Sequence, residues 1–583
     1  MRKRTKLLAL LLGCSMTVGT LAGCSSETAS EPAAQESKEE SSAAAEETAA
    51  ASAETAEAAE ETGIDTSEKL TYKVVVSTNS SMGDWNEMYL FTHMEELYNI
   101  DLEIEMISSD VWGEKEPLLF ASGDLPDLFL FGLGDDDVSL YGDQGFFLDL
   151  KDYFSEELTP NISRMIEANP EILAACTELN GSVYGMYGLD LGARHVLSKQ
   201  FFYINTDWAQ QILGKNPETV DEFYEYLVGV KENDMDGDGD PNNEIPFGGR
   251  YLNTNSQVYD PLCAMLPAYG FVDPMKQVMD DGSVVFVPAQ DNYKELLKFM
   301  NKLYTEELVD QEMFTQTEEE YKAKDAANLY GAFTEWSAMA NGRTLEEAYS
   351  YDMFPPMTSD VNDEQMWPAL DLKKCGKFVI SSTCENPERL LNAVDYFFSR
   401  ENSFGWKYGW EVDTNPEYPG YGYVNEWNED KTGVITTWVG PEGTYEEGAS
   451  PAPEGWDDWG TFRFNKIGPA YERTPIYVDY DNLAAEGTIT AWLVHNVMDN
   501  VYDYYRVAFP SSVKYTSEEN SELNLIETDL RAYKGEMETK MIMGELDIDS
   551  TWDTYLEGLE ARGMSRYVEI QQTAYDRYVA NQQ

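Results

Sequence analysis

From residue 70 onward the apolar positions switch between two spacings. Residues 70–76 form a β-branched and aromatic run that predicts a strand, and residues 100–107 alternate as a second. Residues 127–131, behind Pro126, predict a third strand, buried on both faces. Between these, residues 85–97 carry Met88, Phe91, Met94 and Leu97 at helical spacing. Residues 114–121 predict another helix, stopped by Ser122-Gly123-Asp124. Strand, helix, strand, helix, strand predicts an α/β layer with a parallel sheet. Further along, Thr219-Val220-Asp221-Glu222 predicts a capping box before Phe223, Leu227 and Val230. Asn386-Pro387 opens a helix with Leu390, Leu391, Val394, Phe397 and Phe398 inward. Strand signals recur at 201–204 and 378–380. The C-terminal stretch predicts helices, with Leu556, Leu559, Tyr567 and Ile570 spaced for packing.

The first 68 residues follow other rules. Arg2, Lys3, Arg4 and Lys6 precede a short apolar stretch at 7–12, which is the layout of a secretory leader and too short to span a bilayer. Leu21-Ala22-Gly23-Cys24 resembles the lipobox of bacterial lipoproteins, which implies lipidation of Cys24 as the new first residue and a leader over 1–23. Two acyl chains at about 0.8 kcal/mol per buried methylene hold firmly where one is marginal. Residues 24–68 are dominated by Ala, Glu, Ser and Thr and cannot build a core, so a disordered tether is expected. As a coil its span is about 35–40 Å.

With 583 residues, 42% hydrophobic and 13% aromatic, the remainder is long enough for more than one core. Loss of the leader removes four basic residues and leaves 107 acidic against about 36 basic, a net charge near −71. Such a field repels nucleic acid and anionic lipid, so neither is expected as a partner. Cys176, Cys263, Cys375 and Cys384 show no metal-ligand spacing and read as small buried hydrophobes. His93, His195 and His495 form no zinc pair and flank no serine elbow, and no phosphate-cradling glycine loop occurs.

The sharpest chemical signal is Asp234-Met235-Asp236-Gly237-Asp238-Gly239-Asp240. Carboxylates at alternate positions with glycines between them can wrap oxygens around a hard cation, and calcium takes six to eight. The expected donors are Asp234, Asp236 and Asp238 by side chain and Asp240 by its carbonyl. Asn242 or Asn243 and then Glu244 complete the shell. The loop departs from an EF-hand, because position twelve is Ile245 and the glutamate comes one earlier. A structural Ca2+ is the expected cofactor.

Several segments together resemble the family 1 extracellular solute-binding proteins, sugar-capturing lipoproteins of ATP-binding-cassette importers in Gram-positive bacteria. They include Ala121-Ser122-Gly123-Asp124-Leu125-Pro126-Asp127, Asn180-Gly181-Ser182-Val183-Tyr184-Gly185 and Phe202-Tyr203-Ile204-Asn205-Thr206-Asp207-Trp208. Asn243-Glu244-Ile245-Pro246, Asn386-Pro387-Glu388 and Tyr408-Gly409-Trp410-Glu411 continue the series. The resemblance is greatest to the larger, calcium-loop-bearing members. It implies a periplasmic-binding-protein-like fold, two α/β lobes joined by a multi-strand hinge. Lobe 1 is expected over 69–200 and 376–410, and lobe 2 over 201–375 and 411–583. It also implies a protein held by its lipid on the outer face of the cell membrane, monomeric, without enzymatic activity. Its partners would be a saccharide, an oligosaccharide by preference, and the transmembrane subunits of a permease. A sugar needs flat aromatic platforms and directed polar groups. Position and family topology select Trp85, Tyr187, Glu335, Trp336, Trp410, Glu411 and Arg473 as ligand contacts. Two other readings remain open: a secreted glycoside hydrolase, with Glu335 and Glu411 as its carboxylate pair, and a surface receptor feeding a sensor kinase.

Overall fold

The computed structural model describes residues 64–79, 82–190, 197–240, 242–251, 253, 259–338, 345–399, 402–403, 465–466, 468–469, 471–473 and 489–581, together with the backbone of three strands between 422 and 444. The leader, Cys24, the tether up to residue 63, Trp410 and Glu411 lie outside the described residues.

Chain order gives β1 (Leu70–Thr78), β2 (Ile100–Ser108), β3 (Leu128–Leu130) and β4 (Gly185–Asp190). Then come β5 (Phe202–Asn205), β6 (Ile245–Phe247), β7 (Lys276–Val278), β8 (Val284–Phe286), β9 (Tyr330–Thr334), β10 (Tyr351–Asp352) and β11 (Trp367–Ala369). β12 (Lys374–Ile380), β13 (Gly422–Trp427), β14 (Val434–Gly440), β15 (Gly443–Thr444), β16 (Glu472–Arg473) and β17 (Tyr505–Val507) complete the series.

Two α/β lobes result. The first holds a six-stranded sheet in the order β16-β4-β12-β3-β1-β2. β1 pairs in parallel with both β2 and β3, as the alternating pattern predicts, while β12 runs antiparallel to β3 and β4. Period-two side chains explain why both faces of β1 are apolar. Val74 and Val76 enter one core with Met94, Leu391 and Phe397, and Val75 enters another with Phe120, Phe129 and Val379. Tyr471 also lies in the first of these cores, fully buried, with its hydroxyl donating to the carbonyl of Lys377 at 3.0 Å. Two glycines make room for it. A Cβ at Gly188 would sit 1.7 Å from the Tyr471 carbonyl oxygen, and Gly376, at φ +58°, passes under the ring. Losing that side chain is expected to cost about 3–5 kcal/mol.

The second lobe is built on a mixed sheet, β10-β5-β9-β6. Its core joins Phe202, Phe223, Phe247 and Tyr330 to the helix Asp291–Thr305 and to the C-terminal helices Ser517–Ile542, Ile548–Glu560 and Met564–Asn581. Leu559, Tyr567 and Ile570 are buried there, at the spacing the sequence predicts. The lobes are connected where residues 197–199 lie against 368–370, with Lys199 N–H to Pro368 O at 3.0 Å and Leu370 N–H to Leu197 O at 2.8 Å. β11 pairs with β17 in the same region.

The body starts slightly before residue 69. The Arg389 guanidinium donates to the backbone carbonyls of Asp65, Glu68, Tyr98 and Asn99, and Asn99 Nδ2 donates to Thr66 O at 2.8 Å. All four cysteines named above are free and buried.

Candidate functional site

β1, β3 and β4 run the same way, so their carboxyl ends share one edge of the first sheet, and β12 starts at that edge. In open α/β sheets this is where ligands bind. Residues 131–134 leave β3 there and enter the helix Asp135–Asp143. Tyr187 on β4 lies beside Lys374 and Lys377 of β12, whose Nζ atoms stand 4.7 and 4.9 Å from its ring centroid. Both lysines reach Asp135, at 3.4 and 3.2 Å. Burial works against the Asp135 carboxylate, yet Lys377 and Lys374 hold it below the usual range; burial likewise lowers Lys377 against the pull of Asp135. Tyr187, both lysines and Gly132, Gly134 and Gly376 line a crevice of about 230 Å³. Arg473 on β16 pairs in register with Asp190 at the same edge.

The second lobe closes over this edge through polar contacts. Lys514 Nζ meets Glu178 Oε1 at 3.1 Å, with both side chains nearly buried, and Glu178 Oε2 accepts from Ser139 Oγ at 2.6 Å. Arg577 Nη1 donates to the Lys514 carbonyl at 2.9 Å, which holds that residue toward lobe 1. Asn524 Nδ2 reaches Asp136 Oδ2 at 3.4 Å. Between the two walls lies a cavity of about 350 Å³, bordered by Asp135, Asp136, Lys199, Lys276, Phe509 and Lys514 among others. Beneath the first turn of the helix Asp135–Asp143, burial and the neighbouring Asp137 push the Glu116 carboxyl up to about 7.

The predicted contacts separate. Trp336 is 49% exposed just past β9. Its N–H donates to Glu335 Oε1 at 2.8 Å, and its carbonyl accepts from Tyr203 Oη at 3.4 Å. Glu335 is 1% exposed, and its N–H donates to Phe201 O at 3.2 Å, so the pair stands at the crossover end of the second sheet. Next to it the Arg250 guanidinium lies 5.3 Å from the Tyr259 ring, and its Nε is buried without a hydrogen-bond partner among the described residues. Trp85 is elsewhere. At 1% exposure it stacks on Phe91 at 5.3 Å and meets Phe131 edge-on at 5.7 Å, so its ring is packed into the first core. Sequence reasoning missed Lys374, Lys377, Lys514 and Arg250, because no local motif marks them.

The acidic loop joins the helix Val220–Glu232 to β6. The Asp234 carboxylate accepts from Gly237 N–H at 2.8 Å and Gly239 N–H at 3.1 Å, and both glycines have positive φ. Asp236 and Asp238 each accept the N–H two residues on. Asp240 Oδ1 accepts from the backbone and the side-chain amide of Asn242. These turns leave oxygens of Asp234, Asp236 and Asp238 within 4.8 Å of one another. Glu244 is 8% exposed; its Oε1 receives the N–H groups of Met235 and Asp236. Its Oε2 and the Asn243 Oδ1 are buried without partners among the described residues. Three converging carboxylates and two orphaned oxygens fit an oxygen-seeking cation.

A pair of α/β lobes meeting at the carboxyl edge of a sheet, with a polar groove between them, defines a ligand-gripping protein. The chain belongs to the bacterial extracellular solute-binding proteins, whose family model matches residues 80–402, more than half its length. Membership makes it a binding protein and sets the glycosidase reading aside. It is 25% identical over 530 residues to the fructooligosaccharide ABC transporter substrate-binding protein FusA of Streptococcus pneumoniae, covering 88% of this chain and 91% of that one. The structure of an EF-hand mutant of that protein with fructo-nystose superposes with a TM-score of 0.65 at 23% identity, over 88% of this chain and all of the other. Alginate-binding protein AlgQ2, solved without calcium ion, gives 0.61 at 22% identity over 88% and 99%.

Proposed function

We propose that this protein is the lipid-anchored receptor of an ATP-binding-cassette importer, which takes an oligosaccharide between its lobes and hands it to the permease. The groove carries this reading. One wall has Tyr187 and its two lysines at a sheet's carboxyl edge, and the second sheet ends at the exposed Trp336. An aromatic ring takes the C–H face of a sugar, and fixed charged groups take its hydroxyls. Ligand binding favours the closed state by population shift, and that state docks on the membrane partner. Lobe 1 takes 69–200 and 376–410, with β12 adding Lys374 and Cys375 and 471–473 joining through Tyr471; lobe 2 takes the rest of 201–375 and of 411–583. The monomer works alone, held by Cys24.

In this reading Ca2+ would be held in the acidic loop by Asp234, Asp236 and Asp238, with Glu244 Oε2 and Asn243 Oδ1 as further donors. The ion pins the turn between the helix Val220–Glu232 and β6, and takes no part in chemistry.

Calorimetry of the full chain against neutral and charged oligosaccharides tests the reading. Saturable binding without hydrolysis is expected, weakened about tenfold or more by Trp336→Ala. Failure of every saccharide to bind, or steady release of shorter sugars, would defeat it.

A further inference from the structure

We propose that Lys276, on the lobe 2 wall of the interlobe cavity, is an anion anchor, so that the saccharide carried bears an acidic group, a carboxylate or a sulfate ester. This rests on the groove being the saccharide site.

Lys276 is the cation of this wall without an anion of its own. Its Nζ donates to Gln571 Oε1 at 2.8 Å and Tyr515 Oη at 3.1 Å, both neutral, and lies 4.2 Å from the centroid of Phe509. Among the described residues no carboxylate stands within ion-pair distance of it. The two acids whose charge acts on it are taken. Asp273 Oδ2 is bound to Lys199 at 2.9 Å, and its Oδ1 accepts the N–H groups of Met275 and Lys276. Glu527 is bound to Arg531 at 2.7 Å. The other lysines bordering the cavity have partners, Lys199 with Asp273 and Lys514 with Glu178, and on the lobe 1 edge Lys374 and Lys377 share Asp135. In a chain with 107 acidic and 40 basic residues, an ammonium left without a carboxylate in a cavity is a deficit that an anionic ligand would fill.

The field around the amine agrees. Burial lowers Lys276 to about 8, with Asp273 and Glu527 opposing and Lys199 and Arg531 assisting. From the lobe 1 side Asp136 borders the same cavity. Burial, then Asp137 and Asp135, raise its carboxyl above the usual range despite the Asn524 hydrogen bond, which lessens the charge that would oppose an anion there. An anion bound at Nζ raises the lysine in turn, so binding near pH 8 takes up a proton, and affinity for the acidic sugar falls above that pH.

The test is calorimetry on the full chain with a galacturonate trisaccharide, a sulfated trisaccharide and a neutral trisaccharide. The expected result is preference for an acidic ligand, with proton uptake near pH 8 read from buffers of different ionisation enthalpy. Lys276→Met should cut the acidic-to-neutral affinity ratio at least about tenfold, and Lys276→Arg should keep it. Melting curves confirm that both variants are folded. Carboxylate-only or sulfate-only binding identifies the group. Tight neutral binding with no acidic preference, or a preference that survives Lys276→Met, overturns this inference and leaves the receptor reading standing. Failure of all three sugars overturns both.

Discussion

The acidic loop draws its donors from the eleven positions 234–244, whereas the groove wall joins residues such as Glu178 and Lys514, which are 336 positions apart. Three of the loop's carboxylates, Asp234, Asp236 and Asp238, are exposed and stabilised by the loop's own backbone N–H groups. The wall's charges are nearly buried and depend on one another. Local charge can be arranged before the fold forms; charge brought together by tertiary packing exists only when both lobes are in place. The first is sensitive to solution ions, the second to mutation of either partner.

Five measurements test that contrast. Lys514→Met leaves Glu178 buried without its cation, and denaturant unfolding should show a loss of about 3 kcal/mol, partly recovered by adding Glu178→Gln. An unchanged midpoint would mean that the pair does not secure the wall. Calcium at about a hundred times its dissociation constant should stabilise the chain by about 2.7 kcal/mol, an effect removed by chelator or by Asp236→Ala. Combined with Lys514→Met, the calcium effect should add within about 0.5 kcal/mol, and strong coupling would contradict the independence of the two regions.

Glu116 gives the wall a pH signature. Its folded-state carboxyl, pushed up to about 7, binds a proton more tightly than the unfolded chain does. Stability should therefore decline as pH rises from the ordinary carboxylate range to about 7 and level off beyond, and Glu116→Gln should flatten that slope. The smallest effect belongs to the helix leading into the loop. Thr219→Ala removes an acceptor for Glu222 N–H and should cost about 1 kcal/mol by thermal melting, with calcium affinity almost unchanged.

The first three strands were legible from side-chain pattern: β1 and β3 are short apolar runs, and β2 alternates apolar with acidic residues. The helix Ser109–Ser122 shows in the sequence only over its second half. Its buried stripe is Trp112, Glu116 and Phe120, and a glutamate in the middle hides the spacing, while Val111 and Leu118 face out. The helix signal at 85–97 is divided: the turn Trp85–Glu87 is capped by Asp84, and Met88 is extended before the helix Tyr89–Tyr98 begins. At Thr219 the expected reciprocal cap is shifted, because Glu222 accepts from the N–H of Glu218. The acidic loop could be read at once, since its ligands are neighbours. The groove lysines could not. Lys374 and Lys377 share a strand, but nothing in the sequence announces that Asp135 or Tyr187 lies beside them.

The Arg389 clamp has a mechanical consequence. It grips the backbone at residues 65–68, at the amino end of β1, and that strand's nine residues then run about 30 Å to the groove edge. A pull on the chain ahead of residue 65 would be taken up by that guanidinium and by Asn99, at the lobe's far pole. The backbone contacts that join the lobes, at 197–199 and 368–370, lie off that path, so such a pull would bypass them and leave the groove's width to the ligand.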